Sequence, residues 1–212
     1  MAFENNPTPQ SATYDQAPDP LAAKVEWTPA RGGGANFRTS RIVMKDPERL
    51  EFRSSLGAKL FCLLFLCSGL AVMILIPISM YREGGLGWNK NTLFPILFGL
   101  VFSSVGGGLL YFMARPTVFD RRTGHFWKGW KNPERMLDPE KLNSYTRLNR
   151  IHALQILAEY ISGKSSYYSY ELNLVLEDGS RINVTDHGDL KKLREDAETL
   201  SKFLGKPIWD RT

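Results

Sequence analysis

Two long stretches without a charged residue constrain this chain more than anything else in it. Leu60 to Met80 is 21 residues, Leu93 to Ala114 is 22, and neither contains Asp, Glu, Lys or Arg. At about 1.5 Å per residue, either stretch as a helix covers roughly the 30 Å hydrocarbon core of a bilayer. A core helix of a water-soluble protein keeps a polar face, and neither stretch has one. A secretory leader carries a shorter apolar run at the very start of the chain, whereas residues of mixed composition precede Leu60. The mean hydropathy of −0.25 hides both blocks by averaging them with a polar remainder. The pattern therefore predicts a transmembrane hairpin over residues 60–114, with spans at 60–80 and 93–114.

Cations set its orientation. The loop between the spans, YREGGLGWNKNT, carries only Arg82 and Lys90. Arg41, Lys45, Arg49, Arg53 and Lys59 precede the first span, and Arg115, Arg121, Arg122, Lys128 and Lys131 follow the second. Short flanking segments rich in Lys and Arg stay inside, so both termini are expected in the cytoplasm. Residues 36–59 carry a net charge of +3 and residues 115–150 one of +5, while residues 151–212 carry −2. The cationic excess thus lies beside the membrane. Arg115, Arg121, Arg122, Lys128 and Lys131 are expected to form a basic patch facing anionic lipid headgroups, at about 1 kcal/mol per cation close to the surface. Trp127 and Trp130 suit the same interface. An acidic terminal domain argues against a nucleic-acid partner.

Within the second span, Gly99, Ser103 and Gly107 recur every fourth residue and are candidates for close helix packing. Their partner is either the first span, where Cys62, Ser68 and Gly69 are small, or a second copy of the chain. Cys62 and Cys67, both in the first span, read as packing residues with no disulfide or metal pattern. Pro77 and Pro95 fall near the outer ends of the spans, where a kink is tolerated.

The flanks divide further. Residues 1–35, with five prolines and the run RGGGAN after them, are expected to form a disordered cytoplasmic tail, with a partner-docking peptide around Val25 to Trp27 as the alternative. Residues 36–59 are expected to form a short juxtamembrane hairpin, turned at Asp46-Pro47. In residues 115–212, TVFDRRTGHFW reads as strand, turn, strand with Gly124 at a positive φ. LNRIHALQILAEYIS fits either a helical stripe or a strand buried on both faces, and the alternating segment after it in the chain favours the strand. In that segment, SYELNLVLEDGSRINV, Tyr170, Leu172, Leu174 and Leu176 alternate with polar residues. A three-residue loop with Gly179 left-handed pairs Leu174 with Ile182 and Leu172 with Val184, which keeps one face apolar. Leu190, Leu193, Ala197, Leu200 and Leu204 make one stripe of an amphipathic helix over 189–204, capped by Asp186 or Asp189 and ended by Gly205 and Pro207. Trp209 is expected to close one end of that packing. A helix on one face of a small antiparallel sheet makes the fold class α+β.

The order of FDRRTG, IHALQ, YELNLVLEDGSRINV and LSKFLGKPI after a membrane hairpin resembles bacterial membrane proteins with a pleckstrin-homology-like cytoplasmic domain. It is also loosely similar to the photosystem I assembly protein family, from which the Pro-rich start departs. The resemblance covers residues 40 to 210 and implies an inner-membrane protein with a scaffolding or assembly role.

No catalytic, cofactor or metal motif stands out. His125, His152 and His187 are not at metal spacing, no GxSxG occurs, and Gly32 to Gly34 precede no phosphate-loop lysine. The expected function is a non-catalytic membrane scaffold or assembly factor that binds a protein partner at the lipid surface. The alternatives are a small enzyme acting on lipid headgroups through Asp186, His187 and Asp189, or an immunity protein against a membrane-targeted toxin.

Overall fold

Both apolar stretches are helices in a computed structural model, which describes residues 19–84, 90–142, 144–163 and 165–212. Helix α1 spans Leu56–Arg82 and α2 spans Lys90–Met113, each long and apolar enough to cross a membrane. The Ser55 side chain caps α1 by accepting the Ala58 N–H at 3.1 Å.

The two helices pack on each other through glycine. A Cβ at Gly69 would lie 2.5 Å from the Ser103 nitrogen, and one at Gly99 would lie 2.5 Å from the Gly69 carbonyl oxygen. One at Gly106 would strike the backbone of Leu66, whereas one at Gly107 meets only the Leu66 Cδ1 at 3.8 Å. The packed row is therefore Gly99, Ser103 and Gly106, and Gly107 is displaced from it. At 3.6 residues per turn, seven residues return within about 20° of the starting face and eight overshoot by about 80°. Of the two partners open to this glycine row, the structure shows the internal one, α1.

The strands form two sheets. The first runs β1 (Ser40–Asp46), β2 (Arg49–Ser54), β3 (Thr117–Asp120), β4 (His125–Lys128), β5 (Tyr145–Arg147), all antiparallel. β2 and β3 are direct neighbours, with Leu50 opposite Phe119 and Phe52 opposite Thr117. Only Ser55 separates β2 from α1, and only residues 114–116 separate α2 from β3. The helix pair is thus inserted into the β2–β3 connection. The expected hairpin within residues 36–59 is present, β1 pairing antiparallel with β2 across the turn after Asp46, but it is not a unit of its own, since both strands share a sheet with strands from beyond the apolar segment. A lone two-stranded hairpin is marginal in water, and β3 supplies the neighbour it lacks.

The second sheet has the order β8-β7-β6-β9, built from β6 (Ile151–Ile161), β7 (Tyr167–Leu176), β8 (Arg181–His187) and β9 (Ile208–Arg211). β9 runs parallel to β6; the other pairs are antiparallel. Residues 151–161 are a strand, with Leu154 and Ile156 buried on one face and Ala153 and Gln155 on the other. Gly179 has φ +82°, and Leu174 faces Ile182. The register then shifts between Leu172 and Asn173, so Leu172 faces Thr185 where Val184 was expected. An extra residue at a bulge accounts for the slip, and Val184 stays buried.

Helix α3 (Leu190–Leu204) starts at Asp189, whose side chain accepts the Lys192 N–H at 3.1 Å, and stops at Gly205 with φ +66°. Leu193, Ala197 and Leu200 are fully buried over a core of Leu50, Phe52, Phe119, Phe126, Leu172 and Leu174. The fold is α+β. Trp209 does not close the helix packing as expected. It lies on β9, with its ring 6.4 Å from that of Trp27.

Candidate functional site

The described residues before β1 make an extended set of polar contacts with the second sheet. Residues 19–37 cross the face of the second sheet opposite α3, and side chains of β6, β7 and β8 hold its backbone. The Glu171 carboxylate accepts the Ala30 and Arg31 N–H groups at 2.8 Å each. Glu159 accepts those of Gly33 and Gly34 at 3.2 and 3.3 Å. Gln155 donates to the Glu26 carbonyl at 3.0 Å, Arg181 to the Thr28 carbonyl at 2.7 Å, Tyr167 to the Gly34 carbonyl at 2.9 Å and Ser169 to the Ala35 carbonyl at 3.0 Å. Val25 packs with Ala153 and Val175, and the Arg211 guanidinium lies 3.8 Å above the Trp27 ring. At Gly34 a Cβ would lie 2.7 Å from the Ser169 Cβ, so only glycine lets the strap lie this close.

The expected disordered tail over 1–35 is therefore corrected for residues 19–35; residues 1–18 lie outside the described residues. Few large apolar groups are needed, because the segment satisfies polar groups of the sheet rather than building its own core. Chemically, this face is a peptide-backbone cradle: carboxylates meet amides, and amide, hydroxyl and guanidinium groups meet carbonyls.

Under the strap the sheet is polar yet dry. Glu171, Asn173 and Gln155 are 0 % exposed. Asn183 donates to Asp186 at 2.6 Å, and Lys128 reaches Asn183 Oδ1 at 3.3 Å. Burial pushes the Lys128 ammonium down to about 8, and it pushes the Asp186 carboxyl above its usual range.

The junction with the helices is equally fixed. Ser55 donates its N–H to the Thr39 carbonyl at 2.9 Å and its hydroxyl to the Arg38 carbonyl at 2.6 Å. The Ser54 hydroxyl donates to the Met113 carbonyl at the end of α2. Thr39 donates to the Asp186 carbonyl at 2.7 Å, and Arg38 pairs with His187, which ties the end of β8 to the start of α1. A cavity of about 140 Å³ lies here, lined by residues that include Ser40, Ser54, Arg115, Thr117 and Thr185.

The residues singled out in the sequence disperse. Arg115 stacks on Phe112 at 4.4 Å, Arg121 lies 5.5 Å over the Phe203 ring, and Arg122 pairs with Glu48 at 3.0 Å. Lys131 is exposed on the loop after β4. Lys128 is corrected out of the basic patch, since it turns into the polar cluster under the strap. Trp127 is also buried, under Arg49, while Trp130 stays 56 % exposed. Asp186, His187 and Asp189 do not converge on a common point. His187 is 0 % exposed and its Nδ1 accepts the Asp189 N–H at 3.2 Å; Asp189 caps α3; Asp186 bonds to Asn183. Burial pushes the His187 imidazole down to about 4. Among the described residues no group of three His, Cys, Asp or Glu side chains is placed to hold a metal.

Sequence reasoning missed the cradle. Glu171 and Asn173 alternate with leucines and read as a wet face. The available signal was Gln155 within the unbroken run IHALQILA, where a strand apolar on both sides needs a cover on each.

No protein-family model matches the chain, and no curated protein matches it in sequence.

Proposed function

We propose that this chain is a two-span integral protein of the bacterial inner membrane, with both termini in the cytoplasm, serving as a non-catalytic scaffold or assembly factor. Its sheets and α3 form a pleckstrin-homology-like cytoplasmic domain that holds a protein partner beside anionic headgroups. One observation carries this reading. The helix pair is spliced into the β2–β3 connection with one residue on one side and three on the other. A domain joined that way cannot swing on a linker, so it presents one fixed face at a fixed height above the lipid. That is what a scaffold needs.

Two measurements test it. Reporter domains fused after Thr212 and inserted at Gly87 should give a cytoplasmic and an external signal respectively; an external signal at 212 overturns the orientation. The intact chain, cross-linked in native membranes and purified in detergent, should bring down one protein in stoichiometric amount. Purification alone after efficient cross-linking overturns the scaffold.

A further inference from the structure

We infer that the tip of the β6–β7 hairpin is an additional contact with the lipid surface, its Tyr160–Tyr168 pair resting at headgroup level. The inference relies on reading α1 and α2 as membrane spans.

Strand register places the tip. β2 runs into α1 and β3 leads out of α2, so Ser54 and Thr117 mark the end of the molecule from which both helices leave. β8 finishes at that same end, because His187 pairs with Arg38 and the Arg38 carbonyl accepts the Ser55 hydroxyl. Tyr170 lies opposite His187, the last residue of β8. β9 pairs with β6 only as far as Leu157. Residues 158–161 and 167–169 therefore project past both flanking strands toward the helix end. Tyr168 lies about 7 Å beyond Tyr170 at ~3.3 Å per residue.

The projecting segment has two unlike faces. On one, Glu159, Tyr167 and Ser169 grip the strap at Gly33, Gly34 and Ala35. The other continues the apolar row of the core. The pair Ile156 and Leu172 is buried; two residues on, Ala158 faces Tyr170; two further, Tyr160 faces Tyr168. These last rings lie 5.2 Å apart and are 58 % and 56 % exposed. They reach past the core, so folding does not account for them, while the strap on the opposite face holds them in place. Tyrosine combines an apolar ring with a wet hydroxyl, which suits the interface between acyl chains and headgroups. Trp130, also exposed, leaves the same end of the domain on the loop after β4. Contacts on separate strands would fix the domain's tilt as well as its height.

The test uses the full chain, with Cys62 and Cys67 replaced by alanine, in phosphatidylcholine vesicles containing phosphatidylglycerol. Nitroxide labels are placed singly at Ile74 in α1, at Ser166 in the tip, and at Glu177 at the opposite end of β7. Accessibility to oxygen and to a water-soluble nickel chelate gives the depth of each. The expected result is Ile74 in the acyl region, Ser166 shielded several-fold from nickel, and Glu177 in water. Tyr160→Ser with Tyr168→Ser should return Ser166 to the accessibility of Glu177 and leave Ile74 unchanged. If Ile74 is in lipid and Ser166 is as open to nickel as Glu177, the tip contact is overturned and the spans stand. A shielded Ser166 that ignores both tyrosine changes also overturns it. If Ile74 is itself in water, the membrane reading falls, and the tip contact with it.

Discussion

The carboxylate of Glu171, a residue with no solvent exposure, accepts the Arg31 backbone N–H at 2.8 Å across 140 residues of sequence. A buried carboxylate is costly unless its oxygens are satisfied, and here Ala30, Arg31 and Asn173 supply three donors. The bonds therefore stabilise sheet and strap together. Glu171→Ala leaves the strap amides and the Asn173 amide without that acceptor, at about 1–3 kcal/mol for each buried group orphaned. The strap should detach, and trypsin should then cut at Lys24 and Arg31 while the rest of the domain resists. Glu171→Gln, which keeps one acceptor, should give an intermediate cutting rate. Unchanged protection in Glu171→Ala refutes the role assigned to this side chain.

The two helices make a sharper contrast. Gly106 abuts the backbone of Leu66, and Gly107, one residue on, faces open space apart from the Leu66 Cδ1. Gly106→Leu should separate the helices, costing upwards of the 1–3 kcal/mol typical of overpacking, because backbone cannot move aside as a side chain can. Gly107→Leu should be nearly silent. Cysteine cross-linking between the helices in membranes reads this directly. Equal loss in both variants would mean that the contact face lies elsewhere.

These glycines mark how far a sequence can be read. Both long apolar helices were legible from unbroken composition, and the β7–β8 turn at Gly179 and the stripe of α3 were legible because each is a local period that burial enforces. The row Gly99, Ser103, Gly106 was read one residue off, since a spacing of four stays near one helical face for a single step and drifts about 80° off it by the second. The shared sheet was not legible. Leu50 and Phe119 are separated by the whole helical hairpin, and neither strand's alternation names its neighbour. The strap was only faintly legible, through Gln155 in β6 and the apolar Val25 and Trp27, for a different reason. Its main-chain N–H groups donate to Glu171 and its carbonyls accept from Gln155 and Arg181, and main-chain groups carry no sequence signal.

The buried His187 gives the domain a pH dependence of known sign. Burial holds its imidazole near 4 in the folded chain, against about 6.5 when exposed, so the folded state binds fewer protons between those values. Its contribution is complete above about pH 6.5 and is lost as the pH falls toward 4, to a limit of about 3 kcal/mol. Asp186 and Asp196, whose carboxyls burial raises, act in the opposite direction at the acidic end. The His187 effect is therefore read as a difference between variants. Melting of the detergent-solubilised protein should fall from pH 7 to pH 5 more steeply in the wild type than in His187→Gln. Parallel pH curves for the two would show that the imidazole does not remain neutral in the fold.

Packing of α3 decides whether the domain holds its shape. Leu193 and Leu200 have no exposure, and both sit over Leu172 and Leu174 in a core that also takes Phe119 and Phe126 from the other sheet. Truncating either leucine to alanine removes buried methyl groups and leaves a cavity, typically at about 2–5 kcal/mol. That is a large part of the roughly 5–15 kcal/mol available to a domain of this size. Lys192 and Glu195 pair with each other on the same helix at 2.7 Å, partly in water, and such pairs contribute at most about 1 kcal/mol. Leu200→Ala should therefore lower the melting temperature of the domain built from the two sheets and α3 together with its protease resistance, and abolish capture of the proposed partner. Lys192→Ala with Glu195→Ala should leave all three intact. The strap adds a separable outcome, since it grips the sheet face away from α3. Protection at Lys24 and Arg31 should fail in Leu200→Ala only when the whole domain unfolds, whereas in Glu171→Ala it fails first. Strap release ahead of unfolding in Leu200→Ala would mean that the helix positions the cradle, and the two faces of the sheet would then have to be treated as one unit.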